Sequence, residues 1–278
     1  MKVVKRAAKR IFTRTRIPGA SYVINQYVGC EHACLYCYAK FMCRWKDYGV
    51  WGSWVEAKIN APTLVKGKHV RGRVYMSSVS DPYQPVEAEL LLTQRVLTNM
   101  HKGVRLSVLT KSDLVLRDLD VLREFRDLEV GLTVSGLDRK FEPRAAAHER
   151  RVAALKTLSE RGIRAYTFIS PVIPHVTDVE SVVRETRSFA DYYWLELLNL
   201  RACGTECVRL LECTAPEGLK ILSDEHMLRN YVRSLKELLE RMNVAVEGIV
   251  VHQSVGRQWL VVKPPKCEAT QPISAHLP

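Results

Sequence analysis

Short runs of apolar and β-branched residues alternate along the chain with longer amphipathic stretches. The short runs predict strands over 21–27, 73–79, 104–109, 128–134, 164–169 and 192–197, and the stretches between them predict helices over 88–101, 114–125, 145–161 and 179–190. A strand followed by a helix, repeated, implies parallel strands joined by right-handed crossovers. Six such units predict an α/β barrel or partial barrel; a doubly wound open sheet shares the same local pattern. Farther on, 224–242 reads as a helix with Leu228, Val232, Leu235, Leu238 and Leu239 on one face and Asp224 as its cap. Segments 244–252 and 258–263 predict strands that complete the domain or cover one barrel end, and the tail 264–278, with four prolines, predicts irregular structure. No internal repeat, low-complexity tract or interdomain linker interrupts this order.

Polar residues recur where the predicted strands end. Cys30 follows the first, Ser80 and Asp81 the second, Lys111 the third, Ser135 the fourth, Ser170 and Pro171 the fifth and Asn199 the sixth. In parallel α/β barrels those ends form one face, where chemistry gathers. Six strands therefore deliver polar groups to one mouth.

Composition narrows the class. At 278 residues, 47% apolar and 26% charged, the chain is expected to bury a sizeable core as a soluble globular protein. No apolar stretch approaches the ~20 residues that span a bilayer. Residues 1–16 are basic but lack the apolar segment of a signal peptide, so the expected location is the cytoplasm, ahead of a mitochondrial transit sequence. Lys and Arg outnumber Asp and Glu by 42 to 30, a net charge of +12. Such a field attracts phosphate backbones, although a dispersed basic surface has the same total. The densest run is Lys2, Lys5, Arg6, Lys9, Arg10, Arg14 and Arg16, which reads as a nucleic-acid arm or a solvated tail.

The eight cysteines are clustered, and without a secretory signal they argue against a disulfide framework. Cys30, Cys34, Cys37 and Cys43 share one segment; Cys203, Cys207 and Cys213 share another. Cys30-x3-Cys34-x2-Cys37 puts three soft thiolates in one loop entering a helix, which suits an iron–sulfur cluster or zinc. On a four-iron cubane three cysteines leave one iron open to chelation by an amino acid's amine and carboxylate. Methionine joined to adenosine offers that chelate, and an electron from the cluster then breaks the sulfonium C–S bond, giving a 5′-deoxyadenosyl radical able to take hydrogen from an unactivated carbon. Zinc held by Cys30, His32, Cys34 and Cys37 is the competing donor set, and free structural cysteines are a third.

The stretch GCEHACLYCYA (29–39) resembles the radical S-adenosylmethionine (SAM) superfamily, whose signature is Cys-x3-Cys-x2-Cys with an aromatic, here Tyr36, before the last cysteine. More narrowly, NQYVGC (25–30), SDPYQPVE (80–87), TKSDLVLRD (110–118), Glu142-Pro143, ISPVIP (169–174) and ELLNLR (196–201) resemble the archaeal and bacterial group related to spore photoproduct lyase. The resemblance covers roughly residues 20–201 and sets zinc far behind iron–sulfur. It implies a partial (β/α)6 barrel over 21–201, a basic extension over 1–20, and a C-terminal helix and strand extension over 202–278 packed on the barrel.

It also implies roles. Cys30, Cys34 and Cys37 would ligate a 4Fe–4S cluster, and Tyr36 would lie beside the adenine of SAM. Ser80 and Asp81 stand where the superfamily often meets the methionine amine, with a turn before Pro82 as the plainer role for Asp81. Lys111 and Ser135 match positions used around the cofactor's carboxylate and ribose. Arg151 would clamp a carboxylate or be an exposed helical arginine, and Tyr38 matches a tyrosine for which radical relay has been proposed, packing being the plainer role. One departure matters: where the lyases carry a hydrogen-donating cysteine, this chain has Ser78, whose O–H bond is too strong for the same step. Photoproduct repair is therefore not expected. Cys203, Cys207 and Cys213, with Cys267 as a remote fourth ligand, would hold a second cluster, supply a quenching thiol, or be small apolar residues on a helix. The expected activity is a radical SAM reaction on a nucleic acid, with ferredoxin or flavodoxin as electron donor and no membrane partner. A peptide or small metabolite as substrate, and a non-catalytic metal-binding nucleic-acid module, are the alternatives.

Overall fold

The computed structural model describes residues 1–252 and 259–262. The chain opens with β1 (Lys2–Arg6) and β2 (Phe12–Arg14), then β3 (Tyr22–Ile24), β4 (Tyr27–Val28), a 3-10 segment (Tyr38–Arg44), β5 (Trp54–Lys58) and α1 (Ala61–Val65). Next come β6 (Arg73–Met76), α2 (Glu87–Leu90), α3 (Leu92–Asn99), β7 (Arg105–Thr110), α4 (Leu119–Arg123) and β8 (Asp127–Thr133). They are followed by α5 (His148–Glu160), β9 (Arg164–Val172), α6 (Val179–Thr186) and β10 (Tyr192–Leu197). Four helices, α7 (Leu200–Cys203), α8 (Thr205–Thr214), α9 (Pro216–Ser223) and α10 (Glu225–Arg241), lead to β11 (Val246–His252) and β12 (Trp259–Val262).

In the main sheet β3, β6, β7, β8, β9, β10 and β11 lie side by side in chain order, all parallel, with antiparallel β2 and β12 at the edges. An open doubly wound sheet reverses its strand order at a switch point. This order never reverses, as a partial barrel requires. The six expected strands are the first six of the seven, and β11 adds another after α10. Asp224 caps α10, its carboxylate accepting from the Met227 amide at 2.8 Å.

At two places where elements differ from the periodicity, a polar side chain is the reason. The first predicted strand splits after Ile24 because the Asn25 side chain, accepting from the Ser78 and Val79 amides at 2.7 and 3.2 Å, replaces the ladder there. Beyond it β4 joins a second sheet, pairing with β5, which also holds β1. The predicted helix over 88–101 breaks at Leu91 (φ +52°). There the buried Glu87 carboxylate takes the amides of Thr93 and Gln94 at 2.9 and 3.2 Å and caps a new helix, α3. The stretch 114–125 divides into a 3-10 turn (Asp113–Asp118) and α4. The fifth strand runs on to Val172, so Ser170 and Pro171 lie within its end.

Strand alternation sends two different sets of side chains to the two faces. The helix-facing set is aliphatic: Val74, Met76, Leu106, Val108, Val130 and Leu132 are fully buried with Leu97, Leu122, Leu155 and Leu158. The inner face is aromatic and polar, carrying Tyr75, Ser107, Glu129, Tyr166, Phe168, Tyr192, Trp194 and Glu196, unlike the branched aliphatic filling of closed barrels. Tyr166 stacks on its register partner Tyr192, rings 4.8 Å and 10° apart. Its ring crosses β8 at Gly131, where a Cβ would come within 2.3 Å of it. At the amino-terminal strand ends Arg73 pairs with Glu129, and Arg164 lies 4.8 Å over the Tyr192 ring. At the opposite end Phe168, Trp194 and Glu196 remain half-buried.

Gly131→Ala is expected to cost about 2 kcal/mol by overpacking a ring that cannot leave its stack. In a chain of this size that lowers Tm by roughly 4–8 °C. Thermal denaturation followed by circular dichroism tests it; an unchanged Tm would mean the Tyr166 ring is free to move aside.

Candidate active site

β4 leads directly into the cysteine loop. Gly29 has φ +85°, and a Cβ there would sit 2.7 Å from the Trp54 carbonyl oxygen and 2.8 Å from its ring, so only glycine fits. The loop backbone is then tied down from both sides. The Glu31 amide donates to Gln84 Oε1 at 2.7 Å, and Glu31 Oε2 accepts from the Val86 amide at 2.8 Å. The Leu35 amide donates to the Phe141 carbonyl at 2.8 Å, and the Arg144 amide to the His32 carbonyl at 3.3 Å.

Cys30 and Cys34 are buried and Cys37 is half-buried. Burial pushes the Cys30 thiol well above its ordinary range, with repulsion from Asp81, Cys34 and Cys37 added. Burial first and Glu142 second push Cys34 up to about 12, and burial pushes Cys37 up to about 11. Three neighbouring thiols that resist ionisation alone need a cationic centre to hold them as thiolates, as soft metal ligands do. Among the described residues, no three Cys, His, Asp or Glu side chains converge as ligands of one metal ion. The irons of a cubane, at separate corners, ask for no such convergence. His32 Nδ1 lies 3.5 Å from Asp81 Oδ2 and makes no hydrogen bond among the described residues; burial pushes its pKa down, against the opposing pull of Asp81.

Glu142 gathers the loop and three strand ends around one buried carboxylate. Tyr36 donates its hydroxyl to one oxygen, Arg151 donates from α5 to the other, and the Lys111 ammonium stands 3.4 Å away. Lys111 also lies 5.5 Å from the Tyr36 ring centroid and donates to the Ser170 carbonyl at 3.4 Å. Arg151 is buried rather than exposed, and the carboxylate it clamps is the protein's own; it reaches the Thr133 and Ala146 carbonyls at 3.0 and 2.7 Å as well. Burial alone raises the Glu142 pKa, but Lys111 and Arg151 outweigh it and hold the group below the usual carboxylate range.

The remaining strand-end residues divide by what they already hold. Asp81 is buried: Oδ1 accepts from the Thr110 hydroxyl and the Tyr83 amide at 2.6 and 2.8 Å, and Oδ2 from the Lys111 amide at 2.8 Å. It therefore ties the end of β6 to the end of β7, while Ser80 donates to the Tyr27 carbonyl at 3.1 Å. Ser135 is different, its hydroxyl fully buried with no hydrogen-bond partner among the described residues. A buried hydroxyl left this way is open to a hydrogen-bonding group from a ligand, which is compatible with the ribose contact that the resemblance implies for it. Ser78 takes a bond from the Asn25 side chain at 3.1 Å, and its carbonyl accepts the Tyr38 hydroxyl.

Two further groups line the mouth; the sequence named Ser170 at a strand end and covered Glu196 by resemblance, but singled out neither His252 nor the rings of Phe168, Trp194 and Tyr75. Ser170 donates to Glu196 Oε2 at 2.7 Å and His252 meets Glu196 Oε1 at 3.0 Å, a polar chain across three strand ends. Beside it Phe168 and Trp194, register partners on β9 and β10, share the inner face and are half-buried, as is Tyr75 on β6. The signal was in the alternation of β10, which sends Tyr192, Trp194 and Glu196 to the face opposite Tyr193, Leu195 and Leu197. Cys203 and Cys207 are buried in a separate apolar cluster with Ile173, Leu198 and Leu211, whereas Cys213 is exposed. Cys267 lies outside the described residues.

Comparison with known proteins agrees with this geometry. The Radical SAM superfamily profile matches residues 24–185. An uncharacterized protein of Methanocaldococcus jannaschii is 47% identical, over 91% of this chain and 98% of its own. An uncharacterized Mycobacterium tuberculosis protein is 27% identical, over 59% of this chain and 54% of its own. Among solved structures, spore photoproduct lyase complexed with dinucleoside spore photoproduct superposes with a TM-score of 0.64 at 15% identity, over 89% of this chain and 82% of that one. A variant of that lyase gives 0.63 at 16% identity, over the same shares.

Glu142→Gln leaves Lys111 and Arg151 facing a neutral amide, and losing one partner of a buried pair costs about 3–5 kcal/mol. Because the folded pKa of Glu142 is depressed, its contribution is complete above the unfolded value of roughly 4.3 and lost as pH falls through the lower folded value. The stability gap between wild type and Glu142→Gln in urea denaturation is expected to be constant from neutral pH to roughly pH 5 and to close at lower pH. A gap that widened on acidification would contradict the assignment.

Proposed function

The chain belongs to the radical SAM superfamily, and from that premise we propose that it takes hydrogen from a base-bearing nucleic-acid substrate held in the barrel mouth. The superfamily cleaves SAM on a 4Fe–4S cluster, and the bound groups together supply a 5′-deoxyadenosyl radical. Cys30, Cys34 and Cys37 hold the cluster. Tyr36, kept in place by Glu142 and by Lys111 above its ring, flanks the adenosine, and the unpartnered Ser135 hydroxyl receives a cofactor hydroxyl. Asp81 acts mainly by placing Lys111 and Thr110, since its oxygens already hold their donors.

The observation that carries the substrate class is the half-buried register pair Phe168 and Trp194 on the inner face that also carries Glu196, which His252 meets. Flat rings offer stacking area to any base, worth ~1–3 kcal/mol each, and the carboxylate–imidazole pair supplies acceptor and donor for a base edge. The +12 charge favours a phosphate backbone, and the lyase of similar fold is known in complex with a dinucleoside. Repair of that photoproduct is not the proposed reaction. Ser78 stands where the lyases have their hydrogen donor, and its hydroxyl is held by Asn25.

Anaerobically reconstituted protein is expected to be brown and, with dithionite and SAM, to form 5′-deoxyadenosine; Cys30→Ala, Cys34→Ala and Cys37→Ala each lose colour and product. Under the same conditions a thymine photoproduct dinucleotide is left intact. Colourless protein, or repaired dinucleotide, would refute the corresponding half of the reading. Oligonucleotides are expected to stimulate 5′-deoxyadenosine formation, and Trp194→Ala to raise the half-saturating concentration by roughly tenfold, the worth of one stacked ring. Equal response of wild type and Trp194→Ala would remove the aromatic pair from substrate binding.

A further inference from the structure

The basic run near the amino terminus is not absorbed by the barrel. The structure folds its first part into β1, which pairs with β5 so that Arg6 lies beside Lys58 and Val4 beside Glu56. Across from them comes the segment that leaves the cysteine loop: the 3-10 turn from Tyr38 to Arg44, then Trp45, Lys46 and Tyr48. Together these enclose a groove of about 440 Å³ lined by Arg6, Trp45, Lys46, Tyr48, Glu56 and Lys58. Its size is that of a small-ligand site, roughly 300–1,000 Å³.

The Tyr48 ring organises the cations of this groove. Lys2 stands 5.2 Å and Lys46 5.9 Å from its centroid, and Arg6 donates to its hydroxyl at 3.0 Å. Lys46 also pairs with the buried Glu56 at 2.6 Å. Lys58 has no acid within ion-pair distance among the described residues; burial pushes its pKa down, with Glu56 opposing the shift and Lys46 adding to it. Among the described residues that line the groove, Arg6, Lys46 and Lys58 outnumber the two acids, Glu56 and Asp47. At the rim Trp45 is 76% exposed and Phe41 43% exposed. Charge on an edge strand such as β1 guards against strand pairing, but that task has no use for a bare indole.

We infer that this groove binds single-stranded nucleic acid, with phosphates at Arg6, Lys46 and Lys58 and an unpaired base on Trp45. Cations that follow a backbone, interleaved with exposed rings, make up a single-strand platform, and stacking on an open indole requires a base free of its partner. The groove is continuous in sequence with the mouth: Tyr38, at the start of the same segment, donates its hydroxyl to the Ser78 carbonyl. A strand with one base in the mouth would pass over residues 38–48 into it. The inference rests on nucleic acid being the substrate class and adds a second site that selects unpaired strands.

Fluorescence anisotropy with the reconstituted protein and labelled single-stranded DNA, single-stranded RNA and duplex DNA of one length tests it. Trp45→Ala and Lys58→Glu are expected to weaken single-strand binding at least fivefold, and Lys58→Glu to lessen the dependence of log affinity on log salt. Trp45→Phe retains a ring and restores most of the affinity. Arg233→Glu, the same charge change on exposed α10, shifts affinity less than twofold. Whichever of DNA and RNA binds more tightly identifies the strand. If both groove variants behave like Arg233→Glu while wild type binds, or duplex binds better than single strands, the groove is not the site and the proposed function stands. If wild type binds none of the three at low salt, both readings fall.

Discussion

A carboxylate with 3% of its residue surface exposed, Glu142, holds the cysteine loop against the barrel. Burying a charge so completely is costly unless it is paired and hydrogen-bonded. Here two cations and a phenol meet it: Lys111 from the end of β7, Arg151 from α5 and Tyr36 from the loop. Each of the two cations is fixed a second time, Arg151 by the Thr133 carbonyl at the end of β8 and Lys111 by the Ser170 carbonyl on β9. Such pairs often add little net stability against an apolar filling. What this one provides is orientation, since the Tyr36 ring and the Lys111 ammonium cannot move independently.

The barrel around this node is built with its apolar side outward. Helices cover the aliphatic face of the strands, and the inner face is left to rings, hydroxyls and carboxylates. At the amino-terminal ends that lining closes on itself through Tyr166, Tyr192 and the Arg73–Glu129 pair. At the carboxy-terminal ends the same lining stays half-buried. A parallel sheet whose strand order never reverses brings every carboxy-terminal end to one side, so the cysteine loop, Lys111, Ser135 and Glu196 share a single mouth. No helix of the described residues is long and apolar enough to cross a membrane.

Residues that resemble cofactor contacts in the motif differ in what the fold has left them to do. Asp81 and Ser80 spend their hydrogen-bonding capacity on the strand ends and on Tyr27. Ser135 spends none. A buried donor without a partner is the costlier state. The contrast lies in unmet hydrogen bonds, which residue identity alone does not carry.

The linear chain was enough for whatever depends on neighbours in sequence. Strand and helix periodicity predicted the parallel α/β order, Asp224 was readable as a cap, and Cys30, Cys34 and Cys37 stand within eight residues of one another. It was not enough where a role is set by a distant partner. Tyr36 and Glu142 are 106 positions apart, and Glu196 and His252 are 56 apart. Arg151 falls on a helix whose pattern allowed an exposed face, until the fold turned it toward Glu142. The groove beside β1 likewise exists only because strand pairing sets Arg6 against Lys58. Periodicity records which side of an element is apolar; which polar groups meet across elements is decided by closure of the sheet, and burial then makes those meetings strong.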